Sequence, residues 1–329
     1  MRFLVLLTSV ICLLYAGGPV MADETDKLLR KAMRKFEPLP EQMPGAEKDT
    51  PERIALGKKL FFDSRLSIND QQSCASCHIL TKGQAGVDNL QFSTGAKGDI
   101  GERNSPTVLN AGWQSSQFWD GRAKDLADQA KQPILNPIEM GMPNPQFVVA
   151  KLSSIQEYKE AFANAFPESK RSLTYDNMAE AIAAFERTLR SASRFDDFLN
   201  GDRTALKMQE RDGLGAFIRL NCVRCHDGPL LGGDLFEKLG KYRPFHNEKD
   251  QGRFKVTGKE EDRMVFKVSS LRNVTLTGPW YHDGSGKTLE EVVRTMGRIQ
   301  LDVTLKEEEV KDIIAFLGAL TGKEFEKKK

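Results

Sequence analysis

Cys74-Ala75-Ser76-Cys77-His78 and Cys222-Val223-Arg224-Cys225-His226 decide how this chain is read. Each is a C-x-x-C-H frame, the attachment signal for c-type haem. Two thiols about one helical turn apart add to the two vinyl groups of a porphyrin, and the adjacent imidazole reaches the iron as its proximal ligand. Paired cysteines have competing uses: four thiolates around one structural zinc, or two redox-active disulfides. Neither requires a histidine directly after the second cysteine, and here both copies carry one. Of the five cysteines, the remaining one is Cys12, so outside the leader none is left for another purpose.

Outward from these frames, the N-terminus has Arg2, an apolar run over Phe3–Ala16, then Val20 and Ala22 ahead of Asp23-Glu24. This reads as a secretory signal peptide, residues 1–22, because the run is too short to span a bilayer and small residues suit signal peptidase. Ile11 before Cys12 argues against a lipid-anchored cysteine. Cleavage leaves 329 − 22 = 307 residues, enough for about two domains at roughly 100–200 residues each. With 48 Lys+Arg against 46 Asp+Glu, the net charge of +2 gives no nucleic-acid footprint, and 29% charged residues exclude a multi-span membrane protein. The 40% hydrophobic content excludes disorder.

The chain also repeats itself. Pro106-Thr107-Val108-Leu109-Asn110, followed by Phe118-Trp119-Asp120-Gly121 and Leu126, returns as Ser269-Ser270-Leu271-Arg272-Asn273, followed by Tyr281-His282-Asp283-Gly284 and Leu289. The step from Asn to Asp is ten residues in both (120 − 110 and 283 − 273), and from Asp to Leu six. A helix-like stretch precedes each cysteine frame, Ala55–Phe61 and Gly213–Phe217. The expectation is a mainly α fold: two cytochrome c-like helical haem domains related by internal duplication, with long loops. An N-terminal extension covers 23–48, the first haem domain 49–195 and the second 196–329, with the boundary in a polar stretch from Ser193 to Asp202. Thr50 caps a helix with Pro51 in its first position, and Thr288 with Glu291 forms a capping box. Met178 to Leu189 reads as a helix ending near Ser191. Thr304 with Glu307 opens the last helix, whose Val310, Ile313, Ile314, Leu317 and Leu320 recur at helical spacing. Lys327–Lys329 reads as a solvated tail.

Both C-x-x-C-H frames, the repeated Asp-Gly segments, Phe118-Trp119-Asp120-Gly121-Arg122 and Thr295-Met296-Gly297-Arg298-Ile299-Gln300-Leu301 together resemble the bacterial dihaem cytochrome c peroxidases over about residues 50–322. The related MauG-type enzymes, which oxidise a partner protein's tryptophans, share the scaffold. The resemblance implies two covalently bound c-type haems, held through Cys74, Cys77, Cys222 and Cys225, with His78 and His226 on the irons. It implies Met296 as sixth ligand of the second, electron-receiving haem; a thioether is soft and favours ferrous iron. It also implies a peroxidatic first haem at which Glu139, in Asn136-Pro137-Ile138-Glu139-Met140, moves a proton, with Gln129 nearby. Trp119 matches a tryptophan between the haems, and Asn104 with the carbonyls of Thr277 and Pro279 matches a calcium site, whose oxygen donors suit a hard cation. The implied activity is reduction of hydrogen peroxide to water in the periplasm, with electrons from a small c-type cytochrome or cupredoxin, by a homodimer. Read by themselves, Glu139 and Gln129 look like solvated surface groups, Met296 and Trp119 like core, and Asn104 like a turn residue.

One departure matters. Many family members carry a histidine after the first frame, in a Ser-x-Gly-His context, that blocks the peroxidatic iron until the other haem is reduced. This chain reads Ser93-Thr94-Gly95-Ala96, and alanine has no lone pair to give. The first iron is therefore expected to be open, or to hold only water, without reductive activation. The remaining histidines are His246, expected to face solvent, and His282, expected near the haem interface; neither is assigned to iron. The missing histidine also suits a MauG-type oxidase, but Met296 opposes that reading, since MauG-type proteins have Tyr there. A plain dihaem electron carrier would need protein ligands on both sides of both irons.

Overall fold

The computed structural model describes residues 18–81 and 83–326. Most of the expected leader, Cys12 and the lysine tail lie outside them. The described residues form helices α1 (Gly18–Ala32), α2 (Pro51–Phe61), α3 (Cys74–Cys77), α4 (Leu126–Leu135), α5 (Pro145–Ser153), α6 (Gln156–Ala165), α7 (Tyr175–Glu186), α8 (Arg194–Leu199), α9 (Met208–Arg219), α10 (Phe254–Thr257), α11 (Leu289–Leu301) and α12 (Glu307–Gly318). One short antiparallel pair, β1 (Phe236–Lys238) with β2 (Val265–Lys267), is the only sheet among them. The fold is mainly α, and no described helix is long and apolar enough to cross a membrane.

Two apolar cores organise these helices. Leu56, Phe61, Tyr158, Met178 and Phe185 belong to the first, built from α2, α4, α6 and α7. Phe36, Phe195, Phe217 and Phe316 belong to the second, around α9 and α12. In the first, α2 crosses α7 so closely that a Cβ on Gly57 would lie 1.7 Å from the Ala181 carbonyl oxygen. In the second, a Cβ on Gly213 of α9 would lie 1.9 Å from the Asp312 oxygen of α12. Only glycine permits either backbone contact. The extension 23–48 is no appendage, since Leu29, Ala32 and Phe36 are buried in the second core.

Helix starts follow side-chain capping. Thr50 accepts a hydrogen bond from Arg53 N with Pro51 in the first turn, as expected. Thr288 accepts from Glu291 N, but the Glu291 carboxylate takes Lys287 N, leaving half of the expected box. Three expectations need correction. The last helix opens at Glu307 rather than Thr304: Lys306 is its cap and Glu309 closes the box on Lys306 N. The helix expected from Met178 begins three residues earlier, because Thr174 caps it through Asn177 N, and it ends at Glu186. The stretch from Ser193 to Asp202 is not merely polar. Ser193 and Asp196 cap α8, which buries Phe195 and Phe198, and Asp196 meets Arg272 in an ion pair only 1% and 5% exposed.

Candidate functional site

Each cysteine frame opens onto a cavity. In the first, α3 is a single turn with Ser73 at its head, and His78 N donates to Cys74 O at 2.9 Å. In the second, a 3-10 turn follows Asn221, which adopts φ 65°, and His226 N donates to Cys222 O at 3.1 Å. That bond fixes each imidazole one turn beyond the first thiol. The Nδ1 of His78 lies 3.3 Å from Gly86 O, and the Nδ1 of His226 3.0 Å from Leu231 O. A carbonyl accepts only, so Nδ1 carries the hydrogen and the Nε2 lone pair is free for a metal. Burial pushes both imidazoles below the usual histidine value, keeping them neutral. The four thiols are free, and burial raises all of them. This donor set fits a haem in each cavity.

The first cavity has a volume of about 420 Å³. Besides Cys74, Cys77 and His78 it is lined by Trp119, Gln129 and Glu139. Asp125 caps α4 and so sets Gln129 in its first turn. Glu139 sits in the turn after α4, where Asn136 Nδ2 donates to its Oε1 at 2.6 Å. Desolvation holds the Glu139 carboxyl above the usual carboxylate range, against the pull of Asn136 and Arg122. Among the described residues, His78 is the only histidine lining this cavity. Ala96 does not line it; its N–H is tied to Glu139 O at 2.7 Å, so that loop is pinned to the turn.

The second cavity, about 280 Å³, brings Cys222, Cys225 and His226 together with Met296, which α11 projects from its middle turn. Trp119 lines both cavities. Its indole N–H donates to Asn104 O at 2.8 Å, and its ring meets His282 edge-on at 6.4 Å. His282 is 1% exposed, stacked on Phe266 at 4.3 Å, with neither ring nitrogen partnered. His246 has a 59% exposed side chain.

Asn104, Thr277 and Pro279 line the same second cavity. Asn104 Nδ2 donates to Leu90 O, leaving Oδ1 free to face a cation. Among the described residues no group of three or more His, Cys, Asp or Glu could hold a metal ion. A cation here would rest on neutral oxygens.

The two halves share local geometry at a fixed spacing of 273 − 110 = 163 residues. Asn110 and Asn273 have φ 61° and 60°, and Phe118 and Tyr281 both 68°. The bridge Gln117–Ala123 reappears as Trp280–Gly286. Asp125 and Thr288 cap α4 and α11. Asn104 N donates to His282 O and Lys267 N to Trp119 O, both at 2.8 Å, a crosswise exchange between corresponding residues. This spacing carries Met296 onto Pro133 and Val292 onto Gln129, all of which line their cavities. Pro133 escaped the reading of the sequence although the spacing was visible there. So did Glu186, a first-cavity carboxyl 4% exposed whose Oε2 has no partner and which burial pushes up to about 8.

The family model described as di-haem cytochrome c peroxidase matches residues 51–204. Cytochrome c551 peroxidase of Nitrosomonas europaea is 46% identical over 278 residues, 83% of this chain and 82% of that protein. Cytochrome c551 peroxidase of Pseudomonas aeruginosa is 43% identical over 308 residues, 92% of this chain and 88% of that one. Relatives named methylamine utilization protein MauG are more distant, at 33–34% identity. Among solved structures, a MauG-like protein associated with microbial copper homeostasis superposes with a TM-score of 0.75 at 29% identity, covering 88% of this chain and 96% of that one.

Proposed function

This chain belongs to the di-haem cytochrome c peroxidase family, and from that premise we propose that it reduces hydrogen peroxide to water without prior reductive activation. The carrying observation is the inequality of the two cavities. Met296 lines the second cavity together with His226, whereas the first cavity, among the described residues, offers no second histidine and has Pro133 at the position corresponding to that methionine, its own Met140 standing in the turn after α4. Cys74 and Cys77 would hold one haem, Cys222 and Cys225 the other, with His78 and His226 offering their Nε2 lone pairs to the irons. When bound, the haems supply the two electrons that the reaction H₂O₂ + 2H⁺ + 2e⁻ → 2H₂O consumes.

The protein's part is mainly proton handling. Glu139, as carboxylate, takes the proton from the inner peroxide oxygen and returns it to the outer one, so that water leaves instead of hydroxide. Asn136 Nδ2 orients that carboxylate through its 2.6 Å bond to Oε1. Gln129 offers an amide to hold the peroxide from α4. Met296 would offer its thioether to the second iron, a soft ligand that favours the ferrous state and so electron entry. Trp119, which borders both cavities, would be placed to relay an electron between them. Calcium on Asn104 Oδ1 and the Thr277 and Pro279 carbonyls would brace the same interface. A periplasmic location rests on the leader read in the sequence and descent of the two haem domains from a duplication on the repeated segments, while a small c-type cytochrome or cupredoxin as donor and a homodimer are what the family resemblance implies.

The test is steady-state turnover of the all-ferric protein with reduced cytochrome c and peroxide. Immediate turnover is expected. A lag removed only by prior reduction, or oxidation of a partner protein without donor turnover, contradicts this reading.

A further inference from the structure

The cations of the two cavities are not in the same condition. In the first, Arg103 is bound by Asp120 and Asp250 at 2.6 Å each, Arg122 by Asp120, and Lys255 by Asp250. Each positive charge there already faces a carboxylate. In the second, Lys267 is the only lysine or arginine on the wall among the described residues. It is 8% exposed, and its ammonium donates to the neutral amide oxygen of Gln114. It makes no ion pair; Asp234 acts on it only at longer range. Glu237, the carboxylate on the same wall, is bonded to Lys241 at 2.8 Å. Burial accordingly pushes Lys267 down to about 8.

A buried cation facing only an amide is costly unless an anion arrives to meet it. The group that the second cavity fits brings two carboxylates. Lys267 is also well placed to hold one: β2 fixes its backbone, and its N–H donates to the Trp119 carbonyl, one bond from the residue that borders both cavities. At the corresponding place in the first half stands Asn104, which has no charge to give.

We propose that Lys267 is the counter-ion of a propionate of the second haem, fixing that haem's carboxylate edge beside Gln114 and Trp119 and easing its reduction. The sign is electrostatic: a bare propionate stabilises ferric iron, and a cation that neutralises it shifts the balance toward ferrous. This rests on the di-haem reading, which covalent haem content in each preparation tests separately.

The experiment is spectroelectrochemistry of the holo protein without peroxide, for wild type, Lys267→Met and Lys267→Arg, with resonance Raman of the propionate bending band. In Lys267→Met the reduction equilibrium of the Met-ligated haem should move about tenfold toward the oxidised form, 59 mV for one electron, and the band should shift. Lys267→Arg, which keeps the charge, should stay within about twofold of wild type. An unmoved midpoint and band in Lys267→Met, with both haems attached, overturns the proposal. So does a Lys267→Arg protein that behaves like Lys267→Met, because shape rather than charge would then matter. If Lys267→Met fails to retain the second haem, retention in Lys267→Arg supports the proposal and loss in both overturns it.

Discussion

The two cavities are built on one local plan and lined to opposite ends. Both have a C-x-x-C-H turn, an imidazole oriented by a backbone carbonyl, and a capped helix across the opening. The difference lies in the facing helix: Gln129 and Pro133 on α4, Val292 and Met296 on α11. Where the second cavity offers an apolar wall and a sulfur, the first offers an amide and a ring with no lone pair to donate. Glu139, in the turn that follows, adds a carboxyl that burial keeps near the proton. Under the proposed function, one scaffold would serve as a saturated electron port in one half and an open reaction chamber in the other, with a few side chains on the lining helix making the difference.

The largest effect should come from removing the carboxyl proposed to move the proton in the first cavity. Glu139→Gln is expected to cost peroxide turnover about 10²–10⁴-fold while leaving the second haem's spectrum unchanged. Because the carboxylate form is the working one, wild-type activity should fall as pH drops through a value above that of an ordinary glutamate. A pH–rate profile of both proteins checks the pair.

The second contrast is structural. Arg272 stands where the first half has Leu109, and its guanidinium is matched by Asp196, which also accepts Leu39 N at 2.7 Å. Asp196→Ala strands a buried cation and should destabilise the second core by about 3–5 kcal/mol. Denaturant unfolding followed at the second haem should detect it, with the first haem's environment holding longer.

Pro133→Met tests whether the facing position is what separates the sites. The Pro133 carbonyl contacts to Asn136 N and Met140 N do not depend on the ring, so the turn survives. If the new sulfur occupies the first iron nine-tenths of the time, turnover falls about tenfold and the first haem becomes low-spin.

The last contrast concerns Glu186, whose effect is spread over several pH units. Burial raises its carboxyl to about 8, against about 4.3 in an unfolded chain. The native state therefore holds a proton that the unfolded state releases between those values. Stability from this group is complete below about pH 4 and drains as pH rises toward 8, by at most about 1.4 kcal/mol per pH unit. Glu186→Gln should flatten that slope in thermal melts across the window.

How much of this could be read from the chain follows from how each feature is encoded. The two C-x-x-C-H turns were legible because the attachment signal they match requires adjacent residues at fixed spacing. Thr50 and Pro51 were legible because capping is local. Thr304 misled because Lys306 and Glu309 form the box two residues on, and Ser193–Asp202 because its Phe195 meets Phe316 of α12 and Phe36 of the extension, far away in sequence. Glu139 and Gln129 gave no local sign of burial; only the family motif singled them out. Pro133 and Lys267 matter through what stands opposite them, which no single stretch encodes.

The most direct test is the EPR and absorption spectrum of the purified all-ferric protein. Unequal sites predict one low-spin haem with histidine and methionine ligation beside one five-coordinate or water-bound high-spin haem, the latter lost on adding a strong-field ligand. Two low-spin six-coordinate haems in the resting protein would contradict the account.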